Sequence, residues 1–232
     1  MTITTLLLVL LSAVFVNNFV FAKFLGTCPY LGCSKDTSSA TGMGLAVIFV
    51  MTMTSAVCWA VYHFFLYPST ANVLYLVFGS AQAAAADSAY IKTHFDLTFL
   101  STLSFILVIA ALVQFVEMVI QKVSPALYSA LGIYLPLITT NCAVLAVAIL
   151  NIDGMMLHGT QLGYGHSGSL LFALMNGFGG GVGFTVALLL MSGIRERLDL
   201  GDVPRPLRGM PIAFITAGLL AISFMGFLGL VK

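Results

Sequence analysis

The chain has 232 residues, 60% of them hydrophobic and only 7% charged, with a formal net charge of +1 and a mean hydropathy of +1.07. Soluble domains carry about 25% charged residues, and disordered chains are poor in apolar ones, so the composition excludes both classes. It shows no basic face for nucleic acid and no acidic tail, and it points to a polytopic integral membrane protein.

A helix needs roughly 20 apolar residues to cross the ~30 Å hydrocarbon core. Runs of that length fall at Thr5–Phe24, Gly42–Leu66, Leu97–Ile120, Ala126–Leu150, Gly168–Ile194 and Pro211–Leu230, each bounded by charge, Pro or Gly. The first run has no basic residue before it and no small-x-small cleavage site, so it reads as an uncleaved span. Backbone groups cannot be left unpaired in lipid, and period-2 alternation is missing, so the expected class is an all-α membrane protein with six transmembrane helices. The loops after spans one, three and five hold Lys23, Lys35, Lys122, Arg195, Arg197, Arg205 and Arg208, against Lys92 and Lys232 on the other side. By the positive-inside rule the first group is cytoplasmic and both termini lie outside. The outer loops are then Tyr67–Asp96, with its small-residue stretch SAQAAAADSAY, and Asn151–Ser167. No second domain is visible. The single membrane domain divides into span triplets 1–120 and 121–232, and an odd number of helices per half makes them an inverted repeat.

Four cysteines, Cys28, Cys33, Cys58 and Cys142, match neither a secreted disulfide framework nor a C-x-x-C zinc spacing. The first span of each half leads to a cysteine beside helix breakers: FLGTCPYLG around Cys28 and YLPLITTNCAV around Cys142. Straight helices would keep the two thiols far apart, because Cys142 lies about 24 Å along span four from its cytoplasmic start. Gly26, Pro29 and Pro136 disfavour continuous helix, so spans one and four are expected to carry broken or re-entrant segments that bring Cys28 and Cys142 together. A free cysteine is ordinarily a small buried hydrophobe, and that is the expectation for Cys58 and Cys33. For Cys28 and Cys142 both packing and ligation stay open. A [2Fe–2S] cluster takes four cysteines, so a cluster shared with another subunit is as compatible with the sequence as one held by this chain.

The segments VNNFVFAKFLGTCPYLGCSK, GMGLAVIFVMT, FILVIAALVQFVEMVIQKVSPALYSALGIYLPLITTNCAVLAVAILN and IRERLDLGDVPRPLRG resemble the A-subunit family of the Rnf complex. Rnf, called Rsx in some bacteria, is an ion-translocating ferredoxin:NAD oxidoreductase. The resemblance covers nearly the whole chain, and the E subunit of the sodium-translocating NADH:quinone reductase is a close relative. It implies a bacterial inner-membrane subunit with both termini periplasmic. Its partners would be a homologous, oppositely inserted E subunit, with which it pairs, and the D, G, B and C subunits of the complex. It also implies an intramembrane [2Fe–2S] cluster shared by the pair, with Cys28 and Cys142 as this chain's two ligands. Electrons would pass between an outer flavin and a cytoplasmic iron–sulfur subunit, coupled to Na⁺ or H⁺ translocation. Cys33 stands where the family has a small apolar residue, and the outer loop Ser69–Asp96 is longer than usual.

Asn141, beside Cys142, is a candidate donor to cluster sulfur, with Cys33 a possible spare thiol nearby. Glu117 and Gln114 share a helix face near Lys122, which suits an ion pair or a snorkelling group better than an ion path. The run NGFGGGVGF and Gly42–Gly44 suit close helix approach. His63, His94, His158 and His166 show no ligand spacing, and no nucleotide-binding glycine motif occurs. Rival classes are an inverted-repeat secondary transporter without a redox centre and a purely structural membrane subunit.

Overall fold

A computed structural model describes residue 7 and residues 10–66, 100–123, 135–153 and 170–227. Among them the chain is helical and contains no strand. Three helices are long and apolar enough to cross a membrane: α2 (Thr37–Val61), α3 (Ser101–Val123) and α6 (Leu170–Asp199). At 1.5 Å per residue they extend ~38, ~35 and ~45 Å, beyond the hydrocarbon thickness. The short α1 (Thr27–Cys33) precedes them, the short α4 (Leu135–Thr139) and the apolar α5 (Cys142–Asp153) lie between α3 and α6, and α7 (Met210–Met225) follows. The expected outer loop Tyr67–Asp96, most of the loop Asn151–Ser167, the first part of span four, and Lys92, His94, His158, His166 and Lys232 lie outside the described residues.

Helix α6 is the centre of the molecule. Its Phe184, Ala187, Leu188 and Met191 are fully buried among Met43, Val47 and Met51 of α2 and Ala143 and Val144 of α5. Lipid is as apolar as leucine, so close packing, not the escape from water, has to join these helices. The glycines of NGFGGGVGF supply it. A Cβ on Gly181 would lie 2.7 Å from the Ile48 Cα, and one on Gly180 would lie 2.6 Å from the Phe19 ring. Gly44 stands equally close to Thr185. A polar chain adds to the join: Asn176 donates to Asn151 at 2.5 Å, Asn151 to the Ser55 hydroxyl, and Ser55 to the Ala173 carbonyl. Large apolar residues such as Leu45, Phe49, Leu107, Phe214 and Ile222 face outward, as lipid contact requires.

The runs expected as spans one and four are both interrupted, and Gly26, one of the expected breakers, stands left-handed at φ +75° just before α1. Pro29 sits in the first turn of α1, where a missing N–H has no helical partner to lose. Asparagines take up backbone groups at both interruptions. Span one ends its regular helix in a wide turn, Ser12–Val16, and stays irregular up to Gly26. Within this stretch the buried Asn18 accepts from the backbone N–H groups of Val20 (3.0 Å) and Phe21 (3.4 Å) and donates to the carbonyls of Val14 (3.1 Å) and Gly183 (2.8 Å). In span four Asn141 plays the corresponding part, its side-chain oxygen accepting from the Ala143 N–H at 3.0 Å. Each carboxamide replaces hydrogen bonds that the broken helix gives up.

Candidate functional site

Helices α6 and α5 form fixed walls, and the residues of the LGTC turn are laid against them. Gly26 has φ +75°, a left-handed conformation that favours glycine. A side chain there would also meet Asn141 Oδ1 and the Phe184 ring at 2.8 Å, and Ala143 Cβ at 3.3 Å. The bare backbone can therefore approach α5 closely, and the Gly26 N–H donates to the Cys142 Sγ at 3.0 Å. Cys28 follows two residues later, a span the chain stretches to no more than about 7 Å between Cα atoms. The two cysteine segments, 116 positions apart in sequence at this bond, are thus adjacent in space.

Their surroundings differ from those of the other thiols. Cys28, in the first turn of α1, and Cys142, the first residue of α5, are both exposed. Cys33, the last residue of the same short α1, points into the core at 1% exposure, and Cys58 is buried to the same degree. One helix thus sends one thiol outward and the other inward. Cys142 also stands where the first N–H groups of α5 lack helical acceptors, which favours negative charge at that end.

Asn141 completes the site. It is 3% exposed, its oxygen is used in capping α5, and its Nδ2 is buried with no partner among the described residues. A buried amide donor left idle beside Cys142 is a costly arrangement unless an acceptor beyond the described residues meets it.

Among the described residues no three His, Cys, Asp or Glu side chains gather closely enough to hold a metal ion. The donor set this chain offers is two outward-facing thiols, an N–H on one of them and an idle amide. That matches half of a four-cysteine iron–sulfur site and does not match a self-contained one.

Other expected residues fall elsewhere. Glu117 is half-buried and Gln114 exposed on α3. His63 stacks on Trp59, ring centroids 5.2 Å apart. Two residues important to the site carried no local signal of it: Phe184, which walls the Gly26 turn, and Arg195, which binds the far end of α1. Asn18 is a polar group in an apolar run, and its partner Gly183 is 165 positions away.

Comparison with known proteins places the chain. The family model described as "Rnf-Nqr subunit, membrane protein" matches residues 6–231. The chain is 50% identical to the A subunit of the ion-translocating oxidoreductase complex of Syntrophotalea carbinolica, over 97% of each. It is 46% identical to the A subunit of the Na⁺-translocating ferredoxin:NAD⁺ oxidoreductase complex of Acetobacterium woodii, over 97% of this chain and 98% of the relative. Its identity to the corresponding protein of Serratia proteamaculans is 48%, over 99% of each. With a family match that spans nearly its whole length, the chain belongs to the Rnf-Nqr family of membrane subunits.

Proposed function

We propose that this chain is the A subunit of an Rnf-type ion-translocating ferredoxin:NAD oxidoreductase, and that with a homologous E subunit it holds an intramembrane [2Fe–2S] cluster. Cys28 and Cys142 are two of the four ligands, and the sister subunit supplies the other two. The observation that carries this is the Gly26 N–H bond to the Cys142 thiol at 3.0 Å, which sets the segment of Cys28 against Cys142, both cysteines being exposed. The idle Asn141 Nδ2 supports it, because a sulfur acceptor beside Cys142 would give that donor a partner.

When bound, such a cluster supplies one-electron chemistry at a depth where lipid excludes charge. The chain's own residues do the rest. The broken spans present the thiols at the surface that meets the sister subunit. The Gly26 N–H, and the Asn141 amide with it, place donors at sulfur, and hydrogen bonds to sulfur tune a cluster's potential. Asn18, held by Gly183 of α6, keeps span one from closing into a continuous helix that would carry Cys28 away.

The fuller architecture proposed is six spans in two inverted three-helix repeats, 1–120 and 121–232. Both termini are periplasmic in a bacterial inner membrane, and the D, G, B and C subunits complete the complex. Electron transfer through the pair is coupled to translocation of Na⁺ or H⁺, the relative from Acetobacterium woodii being named for Na⁺. The test is iron, acid-labile sulfide and electron paramagnetic resonance on the anaerobically purified pair of this chain with its sister. About two irons and two sulfides per pair are expected, with a reducible [2Fe–2S] signal. An iron-free pair from a fully active complex would overturn the electron-carrier assignment.

A further inference from the structure

Helix α1, which carries Cys28, has seven residues. A helix that short is not stable by itself, so its orientation must be imposed from outside. Both of its ends are held by α6. At the N-terminal end Phe184 packs against the Gly26 turn. At the C-terminal end Arg195, eleven residues and ~16 Å further along α6, donates from Nη1 to the Leu31 carbonyl at 2.8 Å and to the Ser34 hydroxyl at 3.0 Å. Leu31 belongs to the last turn of α1, where carbonyls have no helical donor and where a cation is favoured by the helix dipole. Ser34 is fully buried and itself donates to Leu31.

The neighbouring residue secures the other side of the same turn. Glu196 accepts from the Thr37 N–H at 3.0 Å and from the Thr37 hydroxyl, capping the start of α2, and Ser192 donates to that hydroxyl at 2.9 Å. An Arg–Glu pair on α6 therefore clamps the link from Ser34 to Asp36: the cation binds a helix C-terminus and the anion binds a helix N-terminus. A solvated positive-inside arginine needs no such partners. Arg197, exposed one residue beyond Glu196, fits that description, and Arg195 does not.

We propose that Arg195 is a positioning residue for Cys28: it locks the C-terminal end of α1 to α6 and so fixes where the Cys28 thiol stands relative to Cys142. The proposal builds on the ligand role of Cys28, but its consequence for thiol geometry does not depend on a cluster being present.

The test uses the whole complex in membranes, carrying Arg195→Ala, Arg195→Lys, Ser34→Ala or Arg197→Ala. In chelator-stripped, reduced membranes a short-span bis-maleimide is applied, and mass spectrometry measures the Cys28–Cys142 link against single labelling of each thiol. In unstripped samples the rate of iron loss from the A–E pair to a chelator is followed by the decay of its paramagnetic signal. Arg195→Ala is expected to lower the link yield while single labelling persists. It is also expected to speed iron loss roughly 10-fold, the lower end of what removing an outer partner costs a metal site. Arg195→Lys should recover part of both, Ser34→Ala should show a smaller change of the same sign, and Arg197→Ala should match the wild type. Link yields equal in Arg195→Ala and Arg197→Ala would overturn the proposal. If Arg195→Ala does not assemble, Ser34→Ala decides, and a wild-type link yield there overturns it. A wild-type pair without iron would instead overturn the cluster assignment and leave the link yields to decide the positioning role.

Discussion

Replacing Cys142 with serine is expected to abolish the paramagnetic signal and the iron of the A–E pair while leaving the complex assembled. A serine hydroxyl occupies the same place and can accept the Gly26 N–H that the thiol accepts at 3.0 Å. The contact between the two broken segments is therefore retained. What is lost is thiolate, the soft ligand that iron–sulfur clusters require. Cys28→Ser should behave in the same way, since Cys28 is exposed in the first turn of α1 and its replacement disturbs no core packing. Cys33→Ser and Cys58→Ser should show the opposite pattern. Both thiols are 1% exposed in the core, so a hydroxyl there costs about 1 kcal/mol or more of stability while the signal persists. A cluster that survives in both Cys28→Ser and Cys142→Ser would reject these ligands.

Asn18→Ala is expected to be the most damaging substitution outside the cysteines. The side chain makes four hydrogen bonds at a fully buried position, and two of its partners are backbone N–H groups of an interrupted helix. An unsatisfied buried polar group costs about 1–3 kcal/mol, and no water enters to replace the carboxamide. Orphaning the Val20 and Phe21 N–H groups together should lower stability by about 3 kcal/mol, measured by unfolding in mixed micelles. The same change should loosen the Cys28 segment, because Asn18 is its tie to Gly183 of α6. Asn18→Ser retains an acceptor of the kind that caps helices, and should recover part of the loss. Stability within about 0.5 kcal/mol of wild type in Asn18→Ala, the range of an ordinary surface substitution, would contradict this role.

The long spans were legible because hydropathy over about 20 residues reads contact with lipid directly. It finds α3 and α6 well, and it places the start of span two at Gly42 where α2 begins at Thr37. The missed turn, Thr-Ser-Ser-Ala-Thr, is polar and receives its cap from Glu196, 159 positions away, so no local pattern announces it. Span five was expected to end at Ile194, but α6 continues to Asp199, since Arg195, Glu196 and Arg197 are good helix formers.

The breaks themselves show the limit more sharply. Gly26, Pro29 and Pro136 were the visible breakers; Gly26 does stand at the break before α1, whereas Pro29 occupies a first turn, where its missing donor is not needed. Asn18 and Asn141 bond the backbone groups at the breaks, and what Asn18 finds there lies across the fold. The nearness of the two cysteine segments was legible in part, from breakers lying beside Cys28 and Cys142. The contact that joins them, from the Gly26 N–H to sulfur, requires a left-handed glycine and the Phe184 wall, and neither follows from local sequence. Arg195 reads in sequence only as a topological charge, because its acceptors, the Leu31 carbonyl and Ser34, are 164 and 161 positions away.

We propose that two interrupted segments bring Cys28 and Cys142 side by side on an exposed face. The most direct measurement is chemical cross-linking of the iron-free chain within its complex, with Cys33→Ser and Cys58→Ser removing the other two thiols. A short bis-maleimide should join Cys28 to Cys142 within one chain in high yield, seen as a single linked peptide pair by mass spectrometry. Two thiols that each label freely yet never link to one another would mean that spans one and four run straight, and would contradict the account.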